Sequence, residues 1–432
     1  MSTPSFSEAT KVFTKIGLLS FGGPAGQIAL MHRVLVDEKE WLEEKQFLHA
    51  LNFCMLLPGP EAMQLATYAG WLLHGVKGGL MAGLLFIVPG FFVMLALSAA
   101  YVFLGDQSWM AGLLFGLKAA VLALVLEALL RVSKRALKDG FAYALAIAAF
   151  IAIALLKLPF PLVVLAAALA GVLRHQFATG AASQPQPPIA YAGRALSATN
   201  TATTLVAWLG IWIIPLALLL VFDPGNGFFA DAAVFFSKAA TVTFGGAYAV
   251  LVYAGQQAVD VYGWLKPGEM ATGLGLAETT PGPLILVLVF IAFVGGARLP
   301  GFDPLTGGVL GGFTALWFTF VPCFLWIFVG APYIERLRHV QWLSAALGAV
   351  TAAVVGVIAN LAVWFGLHVL FGDFAETAIG PFDIPVLDWS AFDWRAALIA
   401  VASGVALLRF HANLFWVLGG AALAGMAFGL FG

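Results

Sequence analysis

One set of helix-breaking residues occurs twice in this chain, at a constant offset of 223 residues, so that Gly59 corresponds to Gly282. The repeated segments and their partners are 13–15 with 236–238, 20–23 with 243–246, 41–42 with 264–265, and 58–60 with 281–283. No gap is needed to align them. A duplicated apolar unit that is interrupted by glycine and proline at matching places is typical of membrane transporters.

The composition places these repeats in a lipid bilayer. Of the 432 residues, 62% are apolar and 10% are charged. A soluble domain cannot bury that much apolar surface, so much of it must face lipid. Apolar segments of about 20 residues, the length that spans a bilayer, recur at 78–101, 111–130, 201–221 and 345–371. Because these segments are continuously apolar rather than alternating, we expect an all-α polytopic membrane protein.

Each repeat is predicted to contain six helices, A to F in the first copy and A′ to F′ in the second. Helices A to F are expected at 8–36 (broken at 21–24), 44–74 (broken at 58–60), 77–104, 109–137, 141–156 and 161–174. A′ starts at 231, and C′ and D′ are expected at 306–329 and 342–370, where the offset has grown to 233. The domains are therefore a first repeat at 1–174, a proline-containing linker at 175–200, an unpaired helix at 201–222 and a second repeat at 223–432.

Loop charges predict that the two repeats have opposite orientations in the membrane. Short cytoplasmic loops collect lysine and arginine. The loop after D is basic and the loop after D′ is acidic: Arg131, Lys134, Arg135 and Lys138 against Asp373, Glu376, Asp383, Asp388 and Asp393. The C–D loop has Asp106, whereas the C′–D′ loop has Arg336 and Arg338. We therefore expect an inverted repeat, with the N-terminus and the linker in the cytoplasm and the acidic loop 372–394 in the periplasm.

The repeated Phe-Gly-Gly and Pro-Gly-Pro segments are the predicted substrate-binding elements. Glycine permits close backbone approach, and a half-helix that starts after Pro60 or Pro283 would present unpaired N–H groups and a positive dipole end to an anion. The alternative is structural, because glycine pairs let helices pack closely and prolines kink them. The candidate residues are Lys15, Ser20, Phe21, Gly22, Gly23, Pro58, Gly59, Pro60, Lys238, Thr243, Phe244, Gly245, Gly246, Pro281, Gly282 and Pro283.

Charged residues at membrane depth are costly and therefore candidates for function. Lys15 and Lys238 are repeat partners that would neutralise a dianion symmetrically; alternatively, they reach towards an interface. Glu61, Glu278 and Glu127 are the candidates for coupling to protons, because a carboxyl in a low-dielectric site can bind a proton. For Glu61 the alternative is a favourable acidic residue in the first turn of a helix.

Two sets of strings carry a family resemblance. The first half contains Ser20-Phe-Gly-Gly-Pro-Ala-Gly-Gln27, Met31-His-Arg33, Trp41 and Leu56-Leu-Pro-Gly-Pro-Glu61. The second half contains Phe236-Ser-Lys238, Thr243-Phe-Gly-Gly-Ala-Tyr248 and Leu276-Ala-Glu-Thr-Thr-Pro-Gly-Pro283. Together these strings resemble the chromate ion transporter family, in its long-chain form with two domains.

The resemblance implies export of chromate, a tetrahedral dianion shaped like sulfate, across the bacterial inner membrane. It also implies a secondary transporter that uses the proton-motive force and confers chromate resistance. The expected partners are chromate or a sulfate-like oxyanion, protons and the lipid bilayer; a homodimer is compatible with the sequence, and no nucleic acid is expected. The alternative is a transporter of sulfate or another oxyanion that chromate mimics. Because no Walker A, metal-ligand or dinucleotide motif occurs, we expect no cofactor, no metal and no enzymatic activity.

Overall fold

The computed structural model describes residues 4–177, 198–244, 247–266, 268–333, 341–372, 374–379 and 382–431. Within these ranges, six helices are long and apolar enough to cross a membrane, and four shorter apolar helices accompany them. The protein is therefore an all-α polytopic membrane protein, as its sequence predicts.

The first half forms helices that follow the predicted order A to F. They are α1 (Phe6–Leu19), α2 (Gly23–His32), α3 (Glu44–Cys54), α4 (Glu61–Leu104), α5 (Ser108–Ala136), α6 (Gly140–Ala154) and α7 (Phe160–Phe177). A π-helical segment, Arg33–Glu38, extends α2. Of the predicted linker, residues 178–197 lie outside the described ranges.

The second half repeats this order after the unpaired helix. Its elements are α8 (Ala198–Phe222), α9 (Phe228–Val242), α10 (Ala247–Gln256), α11 (Glu269–Glu278), α12 (Val287–Ala297), α13 (Pro304–Gly330), α14 (Gln341–Phe371), β1 (Ala375–Ile379), β2 (Phe382–Val386), α15 (Trp394–Leu408) and α16 (Leu414–Phe431). A π-helical segment, Gln257–Val261, extends α10, and a 3₁₀ turn, Leu284–Leu286, precedes α12.

The helix breaks lie where glycine and proline predict them. The chain leaves α1 and enters α2 across residues 20–22, and it leaves α3 and enters α4 across residues 55–60. The predicted gap between helices B and C, at residues 75–76, is a kink within α4, where His74 and Gly75 have non-helical backbone. Gly75 has φ 62°, a conformation that glycine adopts without a Cβ clash, so two residues suffice for the break.

The shorter helices of each half pack against a long helix of the other half. α6 and α7 of the first half pack against α14 of the second, and α15 and α16 of the second half pack against α5 of the first. The backbones approach closely at these crossings: a Cβ on Gly116 would overlap the carbonyl oxygen of Ala421, and one on Gly356 would overlap that of Ala146. Small residues permit such contacts between membrane helices. Each half therefore completes the packing of the other.

The hairpin of α11 and α12 forms the centre of the molecule. Every residue of both helices is buried, and the pair packs among α4, α5 and α13. The sequence of α12 is apolar on all sides, which suits a helix surrounded by protein. The Pro-Gly-Pro segment of the second half is thereby held at the core.

The unpaired helix α8 lies at the periphery. Val206, Ile214 and Leu220 are all more than half exposed. One side of α8 packs on α13, where Trp208 stacks on Phe324 with ring centroids 5.6 Å apart. An apolar helix that is exposed on most sides suits contact with lipid.

Part of the acidic loop forms a β-hairpin, which the all-α prediction did not include. β1 and β2 pair in antiparallel register, with Ala375 opposite Val386 and Ile379 opposite Phe382. The sequence signal for this hairpin is a pair of five-residue runs separated by Gly380 and Pro381 in the sequence, because glycine and proline between short β-prone runs indicate a turn.

Candidate substrate-binding site

Each Pro-Gly-Pro segment is hydrogen-bonded to the Phe-Gly-Gly region of the opposite half. The Gly59 N–H donates to the Thr243 carbonyl oxygen at 2.8 Å, and the Gly282 N–H donates to the Ser20 carbonyl oxygen at 2.7 Å. Donors and acceptors are both repeat partners, so the two bonds are equivalent. The broken helices of the two halves therefore cross at this point, and their loops hold one another.

Ser20 and Thr243 end α1 and α9 in the same way. The Ser20 hydroxyl donates to the Ile16 carbonyl oxygen at 2.6 Å, and the Thr243 hydroxyl donates to the Ala239 carbonyl oxygen at 2.5 Å. Both are bonds to the residue four positions earlier, a common arrangement for these side chains in helices. The backbone carbonyls of both residues are then directed out of the helix and accept from the opposite Pro-Gly-Pro segment.

Glycine is required at these loops by the backbone. Gly22 and Gly23 have φ of 82° and 69°, and Gly59 and Gly282 have φ of 123° and 91°. These values lie in the region that side chains with a Cβ rarely adopt. A Cβ on Gly59 would also approach the Cys323 sulfur to 2.8 Å. The glycines are thus needed for the crossing itself, whichever ligand binds nearby.

Two glutamines brace the crossing in the first half. The Gln27 side-chain amide donates to the Gly282 carbonyl oxygen at 2.6 Å. The Gln64 amide donates at 2.6 Å to the carbonyl oxygen of Pro58, in its own Pro-Gly-Pro segment. At the offset of 223, both positions are valine in the second half. The bracing is therefore asymmetric, although the crossing bonds are equivalent.

A cavity of about 210 Å³ adjoins this crossing, and we call it the motif cavity. Its volume exceeds the roughly 30 Å³ that one water occupies in the liquid, so it has room for a small oxyanion. The residues that line it come from the first glycine pair, from α5, α10 and α11, and from the end of α15, the start of α16 and the segment between them: Gly22, Leu124, Glu127, Arg131, Tyr248, Glu278, Leu407, His411, Ala412 and Leu414.

The polar side chains of the motif cavity form two pairs. The Tyr248 hydroxyl donates to the Glu278 carboxylate at 2.6 Å, and Glu278 is buried. Arg131 forms an ion pair with Glu127, one turn earlier on α5. The exposed His411 adds an imidazole ring. The cavity can therefore offer a guanidinium, a phenol and two carboxyls to a ligand.

Several predicted residues are brought together by this arrangement. Gly22, Glu127 and Glu278 line the motif cavity. The Phe21 ring packs edge-on against Phe415 with centroids 4.8 Å apart, beside the cavity wall. Ser20, Thr243 and both Pro-Gly-Pro segments form the crossing, and Phe244 is half-buried next to it; Gly245 and Gly246 lie outside the described residues.

Three predicted residues lie elsewhere. Lys15 and Lys238 are exposed on α1 and α9 and do not line the motif cavity. Glu61 is half-buried at the first position of α4 and does not line the motif cavity. The proposed roles of these three residues remain predictions.

Three polar residues of the motif cavity were not predicted as site residues: Arg131, Tyr248 and His411. Arg131 was assigned to the basic end of helix D, although its spacing of four from Glu127 indicates a side-chain pair. Tyr248 entered only as part of the family resemblance. His411 has no signal in the sequence, because it reaches the cavity from the segment between α15 and α16.

A second charged cluster, the Glu269 network, links the two halves away from the cavity. Arg298 donates to both carboxylate oxygens of Glu269, at 2.8 and 2.6 Å. The Tyr101 hydroxyl and the Lys266 N–H each donate to the same carboxylate at 2.6 Å, and Arg298 also donates to the Trp264 carbonyl oxygen at 3.1 Å. Tyr101 lies on α4, so this network ties the first half to the central hairpin of the second.

Comparison with known proteins identifies relatives along most of the chain. A family model described as chromate transporter matches residues 7–172 and 230–426. A chromate transport protein of Pseudomonas aeruginosa is 33% identical over 360 residues, which cover 82% of this chain and 79% of the relative. A chromate transport protein of Cupriavidus metallidurans is 28% identical over 361 residues, covering 82% and 81%.

A shorter relative is similar to part of the chain. An uncharacterized transporter of Bacillus subtilis is 31% identical over 152 residues, which make up 35% of this chain and 76% of the relative. No solved structure matches the chain significantly.

Proposed function

Because the chain belongs to the chromate transporter family, we propose that it is a secondary transporter that exports chromate across the bacterial inner membrane and so confers chromate resistance. The observation that carries this proposal is the pair of equivalent crossing bonds, Gly59 to Thr243 and Gly282 to Ser20, beside a cavity that both halves line. Broken helices that meet between two repeats are the usual place for a substrate in secondary transporters.

The two halves act as inverted repeats in this proposal. Two equivalent bonds between repeat partners, together with the packing of the short helices of each half against α5 or α14 of the other, are what a twofold relation between the halves would produce. A twofold axis in the membrane plane lets one half rock against the other, so that a site between them opens to each side in turn. The basic end of α5 and the linker then face the cytoplasm, and the β-hairpin segment faces the periplasm.

Chromate suits the chemistry of the motif cavity. A tetrahedral dianion needs hydrogen-bond donors and positive charge, and the Arg131 guanidinium supplies both in the cavity. Gly22 precedes the first turn of α2, where no side chain caps the helix, so that backbone N–H groups at a positive dipole end also face this region. Lys15 and Lys238 are exposed and do not line this cavity, so their predicted role in attracting the oxyanion is a separate proposal.

The membrane potential favours export of a dianion. Moving two negative charges out of a cell with a negative interior gains about 4.6 kcal/mol per 100 mV. Glu278 is the proton carrier in this proposal, because it is buried, lines the cavity and binds Tyr248. Glu127 and Glu61 are the remaining coupling candidates. A dimer of this chain stays a prediction.

Transport into everted membrane vesicles tests the proposal, since uptake there corresponds to export from the cell. We expect energised vesicles with the wild-type protein to accumulate labelled chromate and an uncoupler to abolish accumulation. Glu278→Gln should lose proton-coupled uptake at matched protein amounts. The Lys15→Ala/Lys238→Ala variant tests the predicted role of the two lysines, and uptake equal to that of wild type would remove them from the mechanism. Excess sulfate tests the alternative substrate: uptake that is indifferent to sulfate argues against it, and strong inhibition by transported sulfate would favour it. Accumulation only in right-side-out vesicles would refute export.

A further inference from the structure

The motif cavity contains one permanently charged cation among its lining residues, Arg131. The carboxyls of Glu127 and Glu278 line the same cavity. A dianion that enters such a cavity is repelled by the carboxylates unless a cation compensates. The position of Arg131 therefore decides whether an oxyanion can bind.

Most of the hydrogen-bonding capacity of Arg131 is unused by the described residues. A guanidinium has five N–H donors in a fixed fork. Among the described residues, the Arg131 Nη2 donates to one oxygen of Glu127, whereas its Nε and Nη1 have no protein acceptor. Arg298, by contrast, contacts both oxygens of its glutamate and a backbone carbonyl. Arg131 can thus donate hydrogen bonds to a second, larger anion.

The ion pair between Arg131 and Glu127 is weak enough for Arg131 to exchange Glu127 for another anion. The two residues are four positions apart on one helix, and their side chains are 46% and 29% exposed. Exposed pairs of this kind contribute little to stability. A tetrahedral oxyanion presents two oxygens at once to the guanidinium fork and makes the stronger, bidentate interaction.

The molecule has one copy of this pair. At the offset of 233, Glu127 corresponds to Asn360 and Arg131 to Trp364 on α14. Trp364 instead packs against His368, with ring centroids 4.3 Å apart and the ring planes tilted by 40°. The symmetry of the crossing bonds therefore does not extend to the charges, and the charged pair belongs to one half.

We infer that Arg131 binds the transported oxyanion and that Glu127 occupies Arg131 in the empty protein, so that a tetrahedral divalent oxyanion enters by displacing Glu127. This inference rests on the proposed function, because it places the transported anion in the motif cavity. Glu127 is then an internal substitute for the substrate. It keeps the guanidinium in position and weakens the binding of anions that cannot form the bidentate contact.

Binding of chromate to the purified full-length protein in detergent, measured by calorimetry, tests this exchange. Glu127→Gln removes the competing carboxylate and should tighten chromate binding about 5- to 10-fold. Arg131→Gln should weaken it about 10- to 100-fold, as expected for the loss of charged hydrogen bonds. Arg131→Lys, which keeps the charge but loses the fork, should fall between wild type and Arg131→Gln. Lys134→Gln, an exposed cation one turn later on α5, is the matched control and should change affinity less than twofold.

The outcomes separate this inference from the proposed function. If the wild-type protein neither binds nor transports chromate, the proposed function fails. If the wild type binds chromate and Arg131→Gln binds it as tightly, or Glu127→Gln binds it no more tightly than wild type, the exchange is refuted while the proposed function stands. Should Arg131→Gln fail to fold, Arg131→Lys and Glu127→Gln still decide the matter.

Discussion

Arg298 and Arg131 each pair with a glutamate, but the two pairs differ in how completely their hydrogen bonds are used. The carboxylate of Glu269 accepts four bonds, from Arg298, Tyr101 and the Lys266 backbone, and its side chain is 9% exposed. Arg131 and Glu127 share one hydrogen bond at the wall of the motif cavity. The saturated pair lies within the second half and is tied to the first half through Tyr101, whereas the unsaturated pair joins two turns of one helix.

This difference separates a structural role from a binding role. A buried carboxylate whose oxygens are all occupied loses much if one partner is removed, and it has no capacity left for a ligand. An exposed pair with unused donors loses little and can exchange its partner. The Glu269 network therefore holds α4 against the central hairpin, and Arg131 is the cation available to substrate.

The largest expected effect is that of Arg298→Met. It leaves the buried Glu269 carboxylate without its cation and should lower the free energy of unfolding by about 3 kcal/mol. Denaturant titration in mixed micelles measures this loss. Arg174→Met, which removes the partner of the exposed Asp139, is the control and should cost far less. Equal losses of unfolding free energy in the two variants would contradict the distinction between buried and exposed pairs.

A smaller loss is expected when one bond of the Glu269 network is removed and its charges are kept. Tyr101→Phe deletes the 2.6 Å bond to Glu269 and should cost about 1.5 kcal/mol, the usual contribution of a hydrogen bond to a charged group. Tyr143→Phe, at an exposed tyrosine of α6, is the control in the same titration. An unchanged stability for Tyr101→Phe would mean that this hydroxyl does not hold α4 to the hairpin.

Glu127→Gln should separate stability from binding. We expect it to change the free energy of unfolding by less than about 0.5 kcal/mol, because the pair that it weakens is exposed and lies within one helix. The same purified variant should bind chromate more tightly than wild type. A loss of stability as large as that of Arg298→Met would show that Glu127 supports the fold, and the comparison between the two pairs would then be wrong.

The smallest expected effect is the pH-dependent contribution of an exposed ion pair, Asp139 with Arg174, to stability. The Arg174 guanidinium and the Ala142 N–H hold the pKa of Asp139 below its ordinary value. The carboxylate therefore stabilises the folded protein above the ordinary carboxyl pKa, and this contribution is lost as the pH falls through the lowered value. Asp139→Asn keeps a capping side chain without the charge. Its unfolding temperature should lie slightly below that of wild type at pH 7 and converge with it in acid; a constant difference would contradict the assignment.

Sequence patterns predicted the helix breaks because glycine and proline act locally. Positive φ at Gly22, Gly59 and Gly282, and a helix that begins directly after Pro60, follow from the conformational limits of single residues. The small β-hairpin was missed because strong apolar signals on both sides made the acidic segment look like an ordinary loop. Its turn residues were nevertheless present in the sequence.

The candidate site was predictable only in part. Glu127, Glu278 and Gly22 were selected from their residue types and repeat positions, and all three line the motif cavity. Arg131 is not selected as a site residue by its sequence position, because a basic residue near the end of an apolar helix ordinarily marks the cytoplasmic side. Arg298 lies in the extra segment of the second half, so it has no repeat partner that could have drawn attention to the Glu269 network.

By itself, the sequence determined the membrane class, the duplication and the positions where helices break, because composition and backbone limits are properties of short segments. Only the tertiary structure decided that each Pro-Gly-Pro segment binds the Phe-Gly-Gly region of the other half. It also decided which charges meet. Gln27 and Gly282 are 255 positions apart and yet share a 2.6 Å hydrogen bond. Such contacts arise from helix packing across the whole molecule, and no local pattern encodes their partners.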